Sequence, residues 1–142
     1  HPVLLRKDFA FTDNQRLAVF YRIVNNGRGP LVARFGVELN FFLPGLAFGR
    51  SQLVIGDRIL SLDSPTCVAR VERSTLSALG EHHRVTVSLD QQATLYGHLV
   101  ATVSQSEQGY ERTVQAVAAM PSWDLCLDPG QEWRAEVSVQ VA

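Results

Sequence analysis

The chain is poor in cysteine, lysine and methionine, and it has no long apolar run. Its two cysteines, Cys67 and Cys126, are too few for a disulfide-built secreted scaffold. The buried habit of free cysteine predicts two reduced thiols in apolar strands, with a single bridge open if those strands are neighbours. Lys7 is the one lysine beside twelve arginines, a skew from which no function follows. Thirteen basic and fourteen acidic residues leave a net charge of −1, so the basic face that nucleic acid requires is missing. No segment approaches the ~20 apolar residues of a membrane helix, and no secretory leader is visible. The chain opens on His1 rather than Met, as a fragment or processed product would. No Cys/His spacing fits a zinc site, no glycine loop is built to cradle phosphate, and no G-x-S-x-G elbow is present. The expectation is therefore no metal and no cofactor.

What is present is β text. At 142 residues, 46% hydrophobic and 19% charged, the chain reads as one globular domain over residues 1–142. A chain this long buries about 70% of its unfolded surface without a staple. Ala135, Val137, Val139 and Val141 alternate with Arg134, Glu136, Ser138 and Gln140. Val85, Val87 and Leu89 alternate in the same way. Leu17, Val19, Tyr21 and Ile23 form one apolar face, and Ala18, Phe20 and Val24 a second, which predicts an internal strand. Turn residues punctuate these runs: Asp13-Asn14-Gln15, Asn26 to Pro30, Gly56-Asp57 between two apolar triplets, and Asp128-Pro129-Gly130. The pattern predicts about ten short strands in an antiparallel β-sandwich or barrel, with one short helix over Ser74 to Leu79.

The densest polar text is Thr102 to Gln115, TVSQSEQGYERTVQ, followed by Pro121-Ser122-Trp123. Such groups need partners if buried, and in the open they suit a hydroxyl-rich ligand. Three more stretches accompany it: Tyr21-Arg22-Ile23-Val24-Asn25, FGVELNFF from Phe35 to Phe42, and Asp128-Pro129-Gly130 before Trp133. Together, in this order, they resemble the C-terminal domain of the glycoside hydrolase family 57 enzymes, the α-amylase and 4-α-glucanotransferase group. That family carries T-V-S-Q-S-E-x-G-[FY]-E, then a Gln, then P-x-W. Tyr110 stands where Phe is commoner, and the middle, from about Arg50 to Gly80, matches loosely.

The resemblance implies an all-β, galactose-mutarotase-like supersandwich that follows a catalytic barrel acting on α-1,4-glucans with retention. It implies that the catalytic carboxylates lie in that barrel, so this chain holds no catalytic residue. The expected partners are the catalytic barrel of the same polypeptide and an α-glucan oligosaccharide, with no nucleic acid or membrane partner and a cytoplasmic setting. Two other readings remain: an independent carbohydrate-binding module, and a stand-alone sugar epimerase in which His98 works with Glu38 or Glu107.

Six residues are candidates for substrate or domain contact. Glu38 and Asn40 lie two apart, so in a strand they share a face opposite Phe35, Val37, Leu39 and Phe41. The plainer reading pairs Glu38 with Arg34 or Arg22. Glu107 and Glu111 have the chemistry of a glycosidase pair, but with Gly109 between them they are expected on an irregular loop. Tyr110 and Trp123 are possible platforms for the C–H face of a sugar, Trp123 in an expected loop after Pro121. Trp133 opens an alternating strand and is expected in the core. His82 and His83 are adjacent and in a strand point to opposite faces.

Overall fold

The computed structural model describes residues 2–13, 15–42, 51–62, 64–78, 84–106 and 109–142. Among them are ten antiparallel strands and no helix: β1 (Val3–Asp13), β2 (Arg16–Asn25), β3 (Leu31–Gly36), β4 (Leu39–Phe41), β5 (Ser51–Ile55), β6 (Arg58–Ser61), β7 (Thr66–Ala78), β8 (Arg84–Ser106), β9 (Gly109–Leu127) and β10 (Glu132–Val141). The strands run β1-β2-β10-β8-β7-β5-β6, while β9 lies against β8 and itself pairs with β3 and β4.

The bend in β8 makes the second layer. Val85 to Leu89 pair with β10, whereas Thr94 to Ser106 pair with β9. Over the crossing, side chains replace backbone partners. Asp90 Oδ1 accepts from the Glu136 amide at 2.8 Å, and Gln91 Oε1 accepts from the Trp133 indole at 3.2 Å. Gln91 also donates to the Arg134 carbonyl.

Facing side chains fill the space between layers. In one cluster Val19, Tyr21 and Ile23 of β2 and Ala135 and Val137 of β10 meet Trp123, Leu125 and Leu127 of β9. Phe35 sits among the rings, its centroid 5.4 Å from Tyr21, 5.6 Å from Trp133 and 6.3 Å from Trp123. A second cluster joins Leu53, Leu76 and Val85 to Leu95, Val117 and Ala119. Each fully buried aliphatic side chain contributes about 1.5–3 kcal/mol. Gly97 is a fitted part of this packing, because a Cβ there would stand 3.2 Å from Leu62 Cδ2 and 3.3 Å from Leu53 Cδ2.

Asn25, which closes β2, is fully buried and ties three segments together. Its Nδ2 donates to the Gly29 and Leu127 carbonyls at 2.9 Å each, and its Oδ1 accepts from the Gly27 amide at 2.9 Å. The Asn that ends the Tyr21–Asn25 stretch is thus a structural clasp.

Several expectations need correction. Ser74 to Ala78 belong to β7, not to a helix, since β5 and β8 pair with that segment on both sides and the sheet ladders override local propensity. Leu79, the last residue of the expected helix, lies outside the described residues. The Asn26 to Pro30 turn joins strands of different layers, because β3 pairs with β9 rather than with β2. Cys67 and Cys126 are free as expected but exposed, so they stand on the wet side of their strands. Trp123 lies in β9 and is 7% exposed; no loop holds it. The Gly56-Asp57 turn is as read: it joins β5 to β6, with Ile55 opposite Arg58 and Gly56 at φ 58°.

Candidate functional site

The polar segment forms a hairpin rather than an irregular loop. Ser106 faces Gly109, Gln105 faces Tyr110, Ser104 faces Glu111, and Val103 faces Arg112. Gly109, at φ 121°, takes a conformation that an L side chain rarely adopts. Cross-strand neighbours share a face, so Gln105, Tyr110, Val103 and Arg112 form one side of this ribbon. Ser104, Glu111, Thr102 and Thr113 form the other. Both sides are open: on the first Tyr110 is 80% exposed and Val103 67%, and on the other Thr102, Ser104, Glu111 and Thr113 are exposed. A register shift between Val100 and Ala101 frees Gln115, whose side-chain Nε2 donates to Thr102 Oγ1 at 3.2 Å. Glu107 lies outside the described residues, as do His82 and His83.

Glu38 and Asn40 do meet. Asn40 Nδ2 donates to Glu38 Oε1 at 2.9 Å, and both are exposed. Neither expected arginine pairs with Glu38. Arg34 makes a two-pronged bond to Asp124, at 2.7 and 3.2 Å, and also reaches the Tyr96 hydroxyl at 3.3 Å. The Arg34 hydrogen bond holds the Asp124 carboxyl below its ordinary range. Arg22 bonds Glu132. The register sets His98 and Asn40 on either side of Ala118, on one face with Glu38 nearby. His98 is exposed there and lines neither the depression bordered by Arg6, Asp8 and Glu136 nor the one bordered by Arg70 and Trp123. Among the described residues no three His, Cys, Asp or Glu side chains converge as a metal site, and no helix is long and apolar enough to cross a membrane.

Two features were not legible as sites in the sequence. The first is the flank of β1. Leu5, Lys7, Phe9 and Phe11 stand opposite Ile23, Tyr21, Val19 and Leu17, so they share the inner, core-forming face. The second layer does not reach them: Leu5 is 53% exposed, Phe9 59% and Phe11 81%, whereas Val19, Tyr21 and Ile23 are buried. Lys7 Nζ lies 4.9 Å from the Phe9 ring centre and 5.5 Å from that of Tyr21. The strand's alternation marks an inner face, but nothing in it shows where the cover ends.

The second is a depression of about 330 Å³ beside the β8 crossing, lined among others by Arg70, Gln91, Thr94, Trp123 and Trp133. The two indoles lie 5.2 Å apart. The Trp133 N–H is taken up by Gln91, while the Trp123 N–H is buried without an acceptor.

Fold and surface thus define an all-β sandwich of the galactose-mutarotase type with part of its inner face uncovered. Solved structures agree on the fold. The 4-alpha-glucanotransferase from Thermococcus litoralis superposes at a TM-score of 0.71 with 21% identity, over 98% of this chain and 18% of that one. A putative aldose 1-epimerase from Escherichia coli K12 gives 0.70 with 12% identity, over 99% and 60%. A galactose mutarotase-like protein from Lactobacillus casei gives 0.61 with 14% identity, over 99% and 63%.

The family model described as Alpha-amylase/4-alpha-glucanotransferase, C-terminal matches residues 1–137, and the chain belongs to that family. Alpha-amylase 1 of Dictyoglomus thermophilum is 31% identical over 136 residues, which are 94% of this chain and 18% of that protein. The chain therefore spans about a fifth of the length of the amylase and glucanotransferase that it matches.

Proposed function

We propose that this domain is a non-catalytic accessory module of an α-glucan-acting hydrolase or 4-α-glucanotransferase, packed against the catalytic barrel of the same polypeptide. The observation that carries this reading is the uncovered inner face of β1. Leu5, Phe9 and Phe11 continue the core face beyond the edge of the second layer. An apolar strip of this kind is a surface for a partner. Membership of a C-terminal family, and relatives more than five times longer, support a partner within the same chain. The β8–β9 hairpin projects beyond both layers and offers Tyr110 and Glu111 as a second contact. With Glu38, Asn40 and Glu107 it completes one wall of the glucan cleft. The domain itself performs no bond cleavage in this reading.

Thermal unfolding of the intact polypeptide tests the packing. Phe9→Ser with Phe11→Ser is expected to split one cooperative transition into two and to lower activity on α-glucan. A single unchanged transition with unchanged activity would remove the β1 flank as the packing surface.

The exposed Tyr110 favours a second reading, an independent carbohydrate-binding module. Calorimetry of the 142-residue domain with maltoheptaose decides between the two. Saturable heat that Tyr110→Ala abolishes would establish the module, and no heat supports the accessory role.

A further inference from the structure

We infer, resting on the docking reading above, that the surface covering β1 presents a carboxylate to the Lys7 ammonium, and that this ion pair fixes how the catalytic part of the polypeptide seats on the domain. The uncovered face is apolar but for one residue. Its inner rows are Val3, Leu5, Lys7, Phe9 and Phe11 on β1, and Leu17, Val19, Tyr21 and Ile23 on β2. Lys7 is the one charged side chain among them. A long cation beside an apolar surface ordinarily turns its head to water at the rim. Lys7 does not stand at the rim. It lies between Leu5 and Phe9 along the strand and opposite Tyr21 across the ladder. Its Nζ sits over the strip, 4.9 Å from the Phe9 ring centre and 5.5 Å from that of Tyr21, a buried residue. The ring faces attract the ammonium but do not neutralise it. A body that covers Phe9 therefore covers Nζ as well and takes water from it.

The domain supplies no counter-charge. Every ion pair among the described residues joins an arginine to a carboxylate, and none includes Lys7. Asp8, next to it in sequence, belongs to the outer face and is held by Arg6. A full positive charge taken out of water needs a full negative charge against it. Backbone carbonyls supply dipoles and leave the charge standing. A carboxylate supplies the charge together with acceptors for the ammonium protons. A second copy of this flank does not fit, because its inner face brings another Lys7 and no acid. The fitting partner is an apolar surface with one Asp or Glu facing Lys7. Apolar area makes such a contact adhere without direction, and the ion pair sets its register.

Lys7 is the only lysine of residues 1–142, so a zero-length carbodiimide, which condenses an amine with a carboxylate in contact, probes this one side chain in the domain. Applied to the intact polypeptide and read by peptide mass spectrometry, it is expected to join Lys7 to an Asp or Glu outside residues 1–142. Lys7 left unattached, or attached only to carboxylates within residues 1–142 of the same or a second copy, would overturn the assignment. Thermal unfolding of the intact polypeptide gives an independent sign. With no acid opposite, Lys7→Met removes a charge stripped of water and raises the midpoint. With the acid in place, Lys7→Met strands it, and the midpoint is expected to fall by about 5 °C, further in Lys7→Glu. In the isolated domain, where Lys7 is exposed, both variants are expected to melt within about 2 °C of wild type. A Lys7→Met midpoint at or above that of the intact wild type overturns the carboxylate. If Phe9→Ser with Phe11→Ser still splits the transition in that case, the docking reading stands without the ion pair. If neither change alters the transition, both fall.

Discussion

Asn25 shows how much one polar side chain can hold. Its amide group satisfies three backbone partners, two in the turn that follows it and one at the end of β9, with no exposure to water. Each such bond contributes about 1 kcal/mol, and buried groups left unpaired cost more. Asn25→Ala is therefore expected to destabilise the domain by about 3 kcal/mol, read as a lower urea midpoint at unchanged slope. A loss well under about 1 kcal/mol would show that water replaces the amide at little cost. The sequence presents Asn25 only as the last residue of an apolar strand; its function as a clasp depends on the Leu127 carbonyl, 102 positions away. Trp123 is obscure for the same reason. Pro121 suggested a loop, but Pro121 stands in β9 opposite Leu95, and the ring two residues on faces the core. Exposure of the cysteines was equally hidden, since each of β7 and β9 has one wet side and composition does not say which.

At the scale of elements, alternation was the dependable signal. β2, β8 and β10 lie where their period-two text places them, and β2 is internal, as its two apolar faces require. Pairing was harder to read. The outer face of the β1-β2-β10 ladder shows why it matters, because Arg6 stands opposite Arg22, and Arg22 opposite Arg134. Like charges directly opposite are unfavourable in a sheet. Glu132 relieves them by accepting from Arg22 Nε at 2.7 Å and from Arg134 Nε at 2.8 Å, while Asp8 takes Arg6. The Arg22 hydrogen bond, with Arg134 adding to it, holds the Glu132 carboxyl below its ordinary range. The folded state therefore binds fewer protons than the unfolded chain in that window. The resulting stability is present above the ordinary carboxylate pKa, near pH ~4.3, and is lost as pH falls through the lower folded value. Melting temperature is expected to drop on acidification from about pH 5 to pH 3, and less steeply in Glu132→Gln or in high salt. Identical slopes for wild type and Glu132→Gln would place the acid sensitivity elsewhere.

The whole molecule is a sandwich whose two layers do not match in width. The broad layer carries β1 beyond the cover that β9 and β3 provide, and the inner face of β1 remains apolar where it meets water. This imbalance is invisible in one strand's pattern, because Phe9 and Phe11 look the same in sequence whether or not a second layer covers them. The resemblance to a C-terminal domain supplied the expectation of a barrel partner, and the register shows which residues of β1 are left uncovered. Since Phe11 is 81% exposed and Phe9 59%, replacing both by serine removes little burial from the isolated domain. The expected change in its unfolding free energy is within about 0.5 kcal/mol, as for surface sites generally. The same change is expected to lower binding of a hydrophobic dye and to reduce self-association in sedimentation runs, because an open apolar edge strand is a site for non-native pairing. If the double variant instead unfolds the isolated domain, those rings belong to its own core and the flank is not a docking face. If the variant is stable but dye binding and association do not change, another surface is the adhesive one. The hairpin tip, with Tyr110 and Val103 open on one side, is then the next to alter.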